Sequence, residues 1–411
     1  MSRAFFNIFA FAASLDYFFN SHLYATPLFL LVSDCLSRTL TSSCICFCSL
    51  TSNGYHLPED FPSFTDYHDL LNVEGLDYVD ICTPNYLHSI IAVDALKKGL
   101  NVFTEKPDAV SVAEVTRMKE AADESGKVLM AMRNNRHRNT AKFLKQYIAD
   151  GHMGDIYCGR CGWIRRRGIP GKGGWFTTKE QSGGGPLIDL GVHMIDLAIW
   201  LMGNPTPVAV TGCAYTKFAD TEVSDSVHSA FGEKKAGGIF DVEDLAIWLM
   251  GNPTPVAVTG CTYTKFADTE VSDSVHSAFG EKKADGIFDV EDLAMGFIRF
   301  DNGACLQIEF SWASNIKEED NFVELRGTKS GAKISALRGL EIFSESYGQL
   351  TDITPLADDL KGIPQHEANL RHFLDVLGGA TPDFVPVQGV NMIKILEAMY
   401  KSAACGHEIQ L

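Results

Sequence analysis

The apolar positions of this chain change their spacing part-way along it. From Tyr67 onward, short apolar runs alternate with amphipathic stretches. Asp77-Tyr78-Val79-Asp80-Ile81-Cys82, Asn101-Val102-Phe103-Thr104 and Val128-Leu129-Met130-Ala131 read as short buried strands. His88 to Lys98 and Val112 to Ser125 read as helices, closed by Gly99 and Gly126. Strands alternating with helices of this length predict a parallel sheet, and ligands on such sheets bind beyond the carboxyl ends of the strands. Thr83-Pro84-Asn85 and Glu105-Lys106-Pro107 stand at two such ends, which singles out Asn85 and Lys106.

Beyond residue 133 the pattern becomes that of a second domain. Phe143 to Ala149 reads as a helix and Ile156 to Arg166 as a strand. Strands follow at Val208 to Phe218 (or a later copy), Phe297 to Phe300, Cys305 to Trp312, Phe322 to Arg326 and Ala332 to Ser335. Asp301-Asn302-Gly303 is a hairpin turn, and helices at Glu367 to Leu377 and Val390 to Ala404 close the chain. The fold class is α/β. A parallel sheet at 53–133 precedes an α+β domain at 134–411 with an open, mainly antiparallel sheet.

Between these strands lies Gly183-Gly184-Gly185-Pro186 and an almost wholly apolar stretch to Gly203, the pattern of a buried helix. The glycines predict a loop where backbone approaches a ligand closely. Asp189, His193 and Asp196 interrupt the apolar stretch at i, i+4 and i+7, so a helix places them on one stripe. Burying two carboxylates and an imidazole requires that they pair or face a cavity, as a satisfied core histidine or as an acid/base site. Just upstream, Arg165-Arg166-Arg167 leads into a Gly-rich loop carrying Trp175-Phe176, read either as a solvated loop or as a substrate-facing one.

Residues 196–243 and 244–291 are a tandem repeat of 48 residues that differ at Ala214/Thr262 and Gly237/Asp285. Two near-identical copies are a duplication, not a solenoid. The expectation is that the fold loops out one repeat's worth of chain, because closure entropy grows slowly with loop length. Residues 1–52 form an atypical segment with no clear period. It is almost free of charge and too broken to read firmly as a signal peptide or a membrane span.

Composition narrows the partners. A net charge of −17 argues against nucleic acid and anionic membranes, and 45% hydrophobic residues suffice for substantial cores. Eleven cysteines in 411 residues do not make a disulfide scaffold, and Cys158 and Cys161 form a lone Cys-x-x-Cys. Reduced thiols, no metal and a cytoplasmic location are the expectation.

Thr83-Pro84-Asn85-Tyr86-Leu87-His88, Glu105-Lys106-Pro107 and Gly184-Gly185-Pro186-Leu187-Ile188-Asp189-Leu190-Gly191-Val192-His193-Met194-Ile195-Asp196 together resemble the Gfo/Idh/MocA oxidoreductases. The resemblance runs from about Tyr67 to the C-terminus once one repeat copy is set aside, and it implies a Rossmann-like NAD(P)-binding domain at 53–133, its first β-α-β unit missing, followed by the family's substrate and oligomerisation domain at 134–411. It implies NAD or NADP as cofactor and hydride transfer between that cofactor and a secondary alcohol of a sugar, cyclitol or related polyol. Lys106 would sit by the nicotinamide and stabilise a developing alkoxide. His193 would be the acid/base group, with a pKa suited to neutral pH, and Asp189 would orient or charge-pair it. Thr83, Pro84, Asn85, His88, Glu105, Lys106 and Pro107 would line the cofactor, with Arg167 and Trp175 as substrate contacts. A homodimer or homotetramer through the second sheet is also implied.

The chain departs from the family pattern in three places. It has no Gly-x-Gly-x-x-Gly turn after a first strand, so the phosphate cradle and the ribose-reading residue are missing. The duplication falls inside the second domain, just after His193. Asp108, after Glu105-Lys106-Pro107, stands where a small or apolar residue is usual. These departures set up the alternative, a catalytically impaired relative that binds a small molecule or serves as a scaffold.

Overall fold

The computed structural model describes residues 29–32, 46–48, 63–166, 168, 174–216, 289–314, 316–357, 359 and 362–411. The first sheet contains β1 (Phe29–Val32), β2 (Cys46–Cys48), β3 (Ser63–Phe64), β4 (Tyr78–Cys82), β5 (Asn101–Thr104) and β6 (Leu129–Ala131). Its order is β3-β2-β1-β4-β5-β6. As the alternation of strands and helices requires, β4, β5 and β6 run parallel, linked by α2 (Asn85–Lys97) and α3 (Val112–Ser125), with α1 (Tyr67–Leu70) preceding β4. α2 starts earlier than its apolar period suggests, because Pro84 stands at the N-cap and Asn85 opens the first turn. Ser111 caps α3 by accepting the Glu114 N–H.

The place beside β4 belongs to β1, which pairs with it antiparallel. The carboxyl end of β1 therefore lies at the opposite edge of the sheet from those of β4 and β5. Much of residues 1–62 lies outside the described residues.

The second sheet has nine strands: β7 (Ile156–Ile164), β8 (Pro207–Tyr215), β9 (Leu293–Phe300), β10 (Cys305–Ser311), β11 (Asp320–Gly327), β12 (Gly331–Ser335), β13 (Gly339–Ser346), β14 (Gln349–Ile353) and β15 (Ile409–Gln410). They run in the order β14-β13-β12-β11-β7-β10-β9-β8-β15, all antiparallel except β7 beside β10. Asp301-Asn302-Gly303 makes the β9–β10 turn, with Gly303 at φ +82°. Cys158 and Cys161, three apart on β7, take opposite faces: Cys161 is buried and its thiol is pushed up by burial, while Cys158 faces outward. Two thiols so placed cannot share a metal.

The apolar stretch after the glycines is helical, and Lys179–Leu201 is long and apolar enough to cross a membrane, yet most of it is buried inside the protein. It opens with a π-helical turn at Leu187–Gly191 and continues as α6 (Val192–Leu201), following α4 (Asn139–Ala149) and the short α5 (Lys179–Ser182). Contrary to the expectation from sequence, the glycines pack against protein and not against a ligand. A Cβ at Gly184 would lie 2.0 Å from the Tyr400 hydroxyl, and one at Gly185 would lie 2.0 Å from the Glu291 carbonyl oxygen. They make room for α8 (Pro386–Cys405), which lies beyond α7 (Gln365–Leu377), and for the chain entering β9.

The repeat contributes its opening, 196–216, from the first copy and its close, 289–291, from the second. These ends meet: the Thr216 hydroxyl donates to the Val290 carbonyl at 3.0 Å, and the Asp292 N–H donates to Tyr215 O at 2.7 Å. One unit's two ends are thus joined, and residues 217–288 lie outside the described residues.

Glu291 makes this joint essential. Its buried carboxylate accepts the Gly185 and Leu187 N–H groups at 3.0 and 3.1 Å and the Tyr400 hydroxyl at 2.8 Å. Those N–H groups belong to the helix entry, where partial positive charge favours an anion. Glu291→Ala leaves buried donors without partners and lowers the unfolding free energy by about 2–3 kcal/mol. Urea denaturation measures this.

Candidate active site

Lys106, just past β5, reaches across to the π-turn. Its ammonium lies 2.7 Å from Asp189 Oδ1 and donates to the Asp189 carbonyl at 3.1 Å. The fully buried Trp312 donates its indole N–H to Asp189 Oδ2 at 3.0 Å. Both carboxylate oxygens are therefore engaged and neither goes to His193, so of the two expected roles, orienting the histidine or charge-pairing with it, only the through-space charge interaction is present. Burial alone would raise the Asp189 pKa, but Lys106, with Arg165 next in strength, brings it down to about 2.

His193 lies one turn on, in the first turn of α6, half-buried, its ring 6.0 Å from that of Trp163. It makes no hydrogen bond among the described residues. Burial, then the charge of Lys106, holds its pKa well below the ordinary 6.5, and Asp189 only partly offsets this. The imidazole is neutral at pH 7 and can accept a proton, though with a lower pKa than one tuned to neutrality. Lys106, Met132, Arg133, Asn134, Asn135, Val192, His193 and Asp196 line one shallow pocket.

Asp196, third on the stripe, is structural. It accepts from Arg133 Nε at 3.0 Å and from Arg136 Nε and Nη2 at 2.8 and 2.6 Å, all three side chains being buried. Arg133 also pairs with Asp108. The charge at position 108, unexpected from sequence, is thus half of a buried ion pair.

Other positions take roles different from those expected. His88 is fully buried, with Nδ1 2.7 Å from Pro107 O and Nε2 2.8 Å from Thr83 O, so it ties the two strand-end loops together instead of lining the cofactor. The buried Asn85 spends its amide on Ser182 O at 2.8 Å, holding the first domain to the glycine turn. Thr83, Pro84, Glu105 and Pro107 remain at the strand ends, where the Glu105 carboxylate accepts the Lys106 N–H at 3.1 Å. Trp175 stacks on Phe176, and its buried indole N–H has no partner among the described residues. Arg167 lies outside the described residues. Sequence reasoning missed Trp312, Arg133, Arg136 and Arg165; only burial distinguishes them from ordinary core or surface residues.

The comparisons agree on the family. The Gfo/Idh/MocA oxidoreductase model for the NAD-binding Rossmann fold matches residues 52–132, and two C-terminal domain models match 142–243 and 233–411. D-glucoside 3-dehydrogenase from Escherichia coli is 30% identical over 338 residues, covering 82% of this chain and 79% of that protein. The NADP-dependent scyllo-inositol 2-dehydrogenase of Bacillus subtilis is 31% identical over 175 residues, covering 42% of this chain and 48% of that protein. Levoglucosan dehydrogenase, solved with NADH and levoglucosan, shares the fold at a TM-score of 0.63 and 21% identity, covering 85% of this chain and 84% of that one. The chain belongs to the Gfo/Idh/MocA family of NAD-binding oxidoreductases.

The residues present fit one end of that cofactor. Asn134 lines the pocket with a buried Oδ1 that has no partner among the described residues, an acceptor suited to an amide N–H such as that of nicotinamide. Thr83 and Glu105 at the strand ends would hold the adjoining ribose. At the phosphate end, β1 runs antiparallel to β4, and no glycine cradle stands among the described residues.

The Lys106–Asp189 pair makes stability depend on acid. The lowered pKa contributes about 2 kcal/mol. That contribution is complete above the ordinary value of 3.8 and is lost as pH falls through about 2. Acid titration of Asp189→Asn, followed by circular dichroism, shows a correspondingly smaller loss of stability below pH 3.8 than the parent chain.

Proposed function

We propose that this protein oxidises a secondary hydroxyl of a sugar or cyclitol and reduces the corresponding ketone in the reverse direction. The observation that carries the reading is the convergence of Lys106 and a neutral His193 on one pocket at the carboxyl edge of the parallel sheet. The cofactor, when bound, takes or gives the hydride; the protein manages one proton and one developing charge. Lys106, anchored by Asp189, donates a hydrogen bond to the reacting oxygen and lowers the energy of alkoxide character there. His193 accepts the proton that the hydroxyl loses. Substrates of the relatives, a glucoside, an inositol and an anhydrosugar, support this class.

The open face of the second sheet, where Phe297 and Phe343 are exposed, would take a second copy of the chain, and sedimentation velocity tests that assignment. Free thiols at Cys82, Cys158, Cys161, Cys213, Cys305 and Cys405 support a reducing, cytoplasmic setting.

Substrate oxidation followed by nicotinamide absorbance tests the reading. Lys106→Met and His193→Ala each lower kcat/KM by about 10²–10⁴-fold. Because the imidazole must be unprotonated to act, the acid limb of the wild-type oxidation profile lies below pH 6.5. Activity that survives both substitutions would overturn the assignment.

A further inference from the structure

The cations around the site do not all have partners. Lys106 is matched by Asp189, while Arg133 and Arg136 are matched by Asp108 and Asp196. Arg165 is the exception. It is 5% exposed, its side chain makes no hydrogen bond or salt bridge among the described residues, and its buried Nη1 has no partner.

Its position is not remote. The guanidinium carbon lies 5.1 Å from the centre of the Trp163 ring, which stands beside His193. Its backbone N–H donates to Ser311 O at 3.0 Å, next to the Trp312 that holds Asp189. Asp189 feels the charge of Arg165, yet both Asp189 oxygens are already committed to Lys106 and Trp312. A buried guanidinium with unused donors is costly unless an oxygen reaches it, and a planar fork of N–H groups suits a carboxylate or phosphate best.

We propose that Arg165 contacts the substrate, and that the substrate is an acidic one: a sugar or cyclitol whose anionic oxygens, from a carboxylate or a phosphate, meet this guanidinium. The inference rests on the oxidoreductase reading and specifies which members of the polyol class the site selects. Arg165 sets this preference, while Lys106 and His193 act on the hydroxyl.

Isothermal titration of the purified full chain with glucuronate, glucose 6-phosphate and glucose tests this without relying on turnover. One of the two acids binds at least about tenfold more tightly than glucose, and which one does so identifies the anion. Arg165→Met abolishes that preference by weakening the acid alone, and Arg165→Lys restores part of it. Should Arg165→Met fail to fold by circular dichroism, the lysine variant decides, with a preference reduced but present and more sensitive to salt than in the parent. The proposal is overturned if neither acid binds more tightly than glucose, if the preference survives Arg165→Met, or if Arg165→Lys leaves it unchanged. The two readings can fail separately. Lys106-dependent turnover of glucose with no acid preference refutes the role of Arg165 alone. An Arg165-dependent acid preference with no turnover of any sugar refutes the oxidoreductase reading and leaves the anion site standing.

Discussion

The site depends on a carboxylate buried between two guanidiniums. Asp196 holds Arg133 and Arg136, and Arg133 reaches on to Asp108, so one buried network joins the end of β5, the segment after β6 and α6. Lys106 lies two residues before Asp108, and His193 lies one turn before Asp196. The network therefore sets the distance between the two groups that would act on substrate. Ion pairs this deep contribute little net stability, but removing one partner leaves an uncompensated charge at a cost of about 3–5 kcal/mol. Their effect here is positional: they pin the segments after β5 and β6 to α6.

Within that frame, one ammonium bears on two protonation states. Lys106 keeps Asp189 ionised against the effect of burial, while burial itself, aided by Lys106, keeps His193 neutral. Trp312 holds the carboxylate from the sheet side, so Asp189 serves as an anchor for the lysine and is not available to steer the imidazole. His193 consequently depends on its backbone and on ring packing for its orientation.

The sequence makes the periodic parts of this protein legible. The parallel strands β4 to β6, the Asp301-Asn302-Gly303 hairpin and the strand ends bearing Thr83 and Lys106 follow from apolar spacing and turn chemistry. What it hides are pairings over distance. Nothing near Arg133 announces Asp196, and Asp108 looks misplaced until Arg133 is seen beside it. Arg165 is indistinguishable from Arg166 in a run of three basic residues, because only burial separates them. Glu291 and Glu243 occupy identical sequence contexts, so the helix entry's dependence on Glu291 becomes visible only in three dimensions. Gly184 and Gly185 signal a close approach correctly, but not that Tyr400 and Glu291 are what approach.

The π-turn at Leu187–Gly191 has a consequence for how this helix can evolve. A π-turn carries one residue more than the α-helical path it replaces. Losing that residue would rotate everything before it by about 100° relative to everything after it. Asp189 would swing away from Lys106 and Trp312, while His193 and Asp196 kept their places. Substitutions along Leu187–Leu201 can drift within the limits of size and polarity, but a change of length is forbidden. The angular phase between Asp189 and His193 is thus set by one residue's length of backbone within the π-turn.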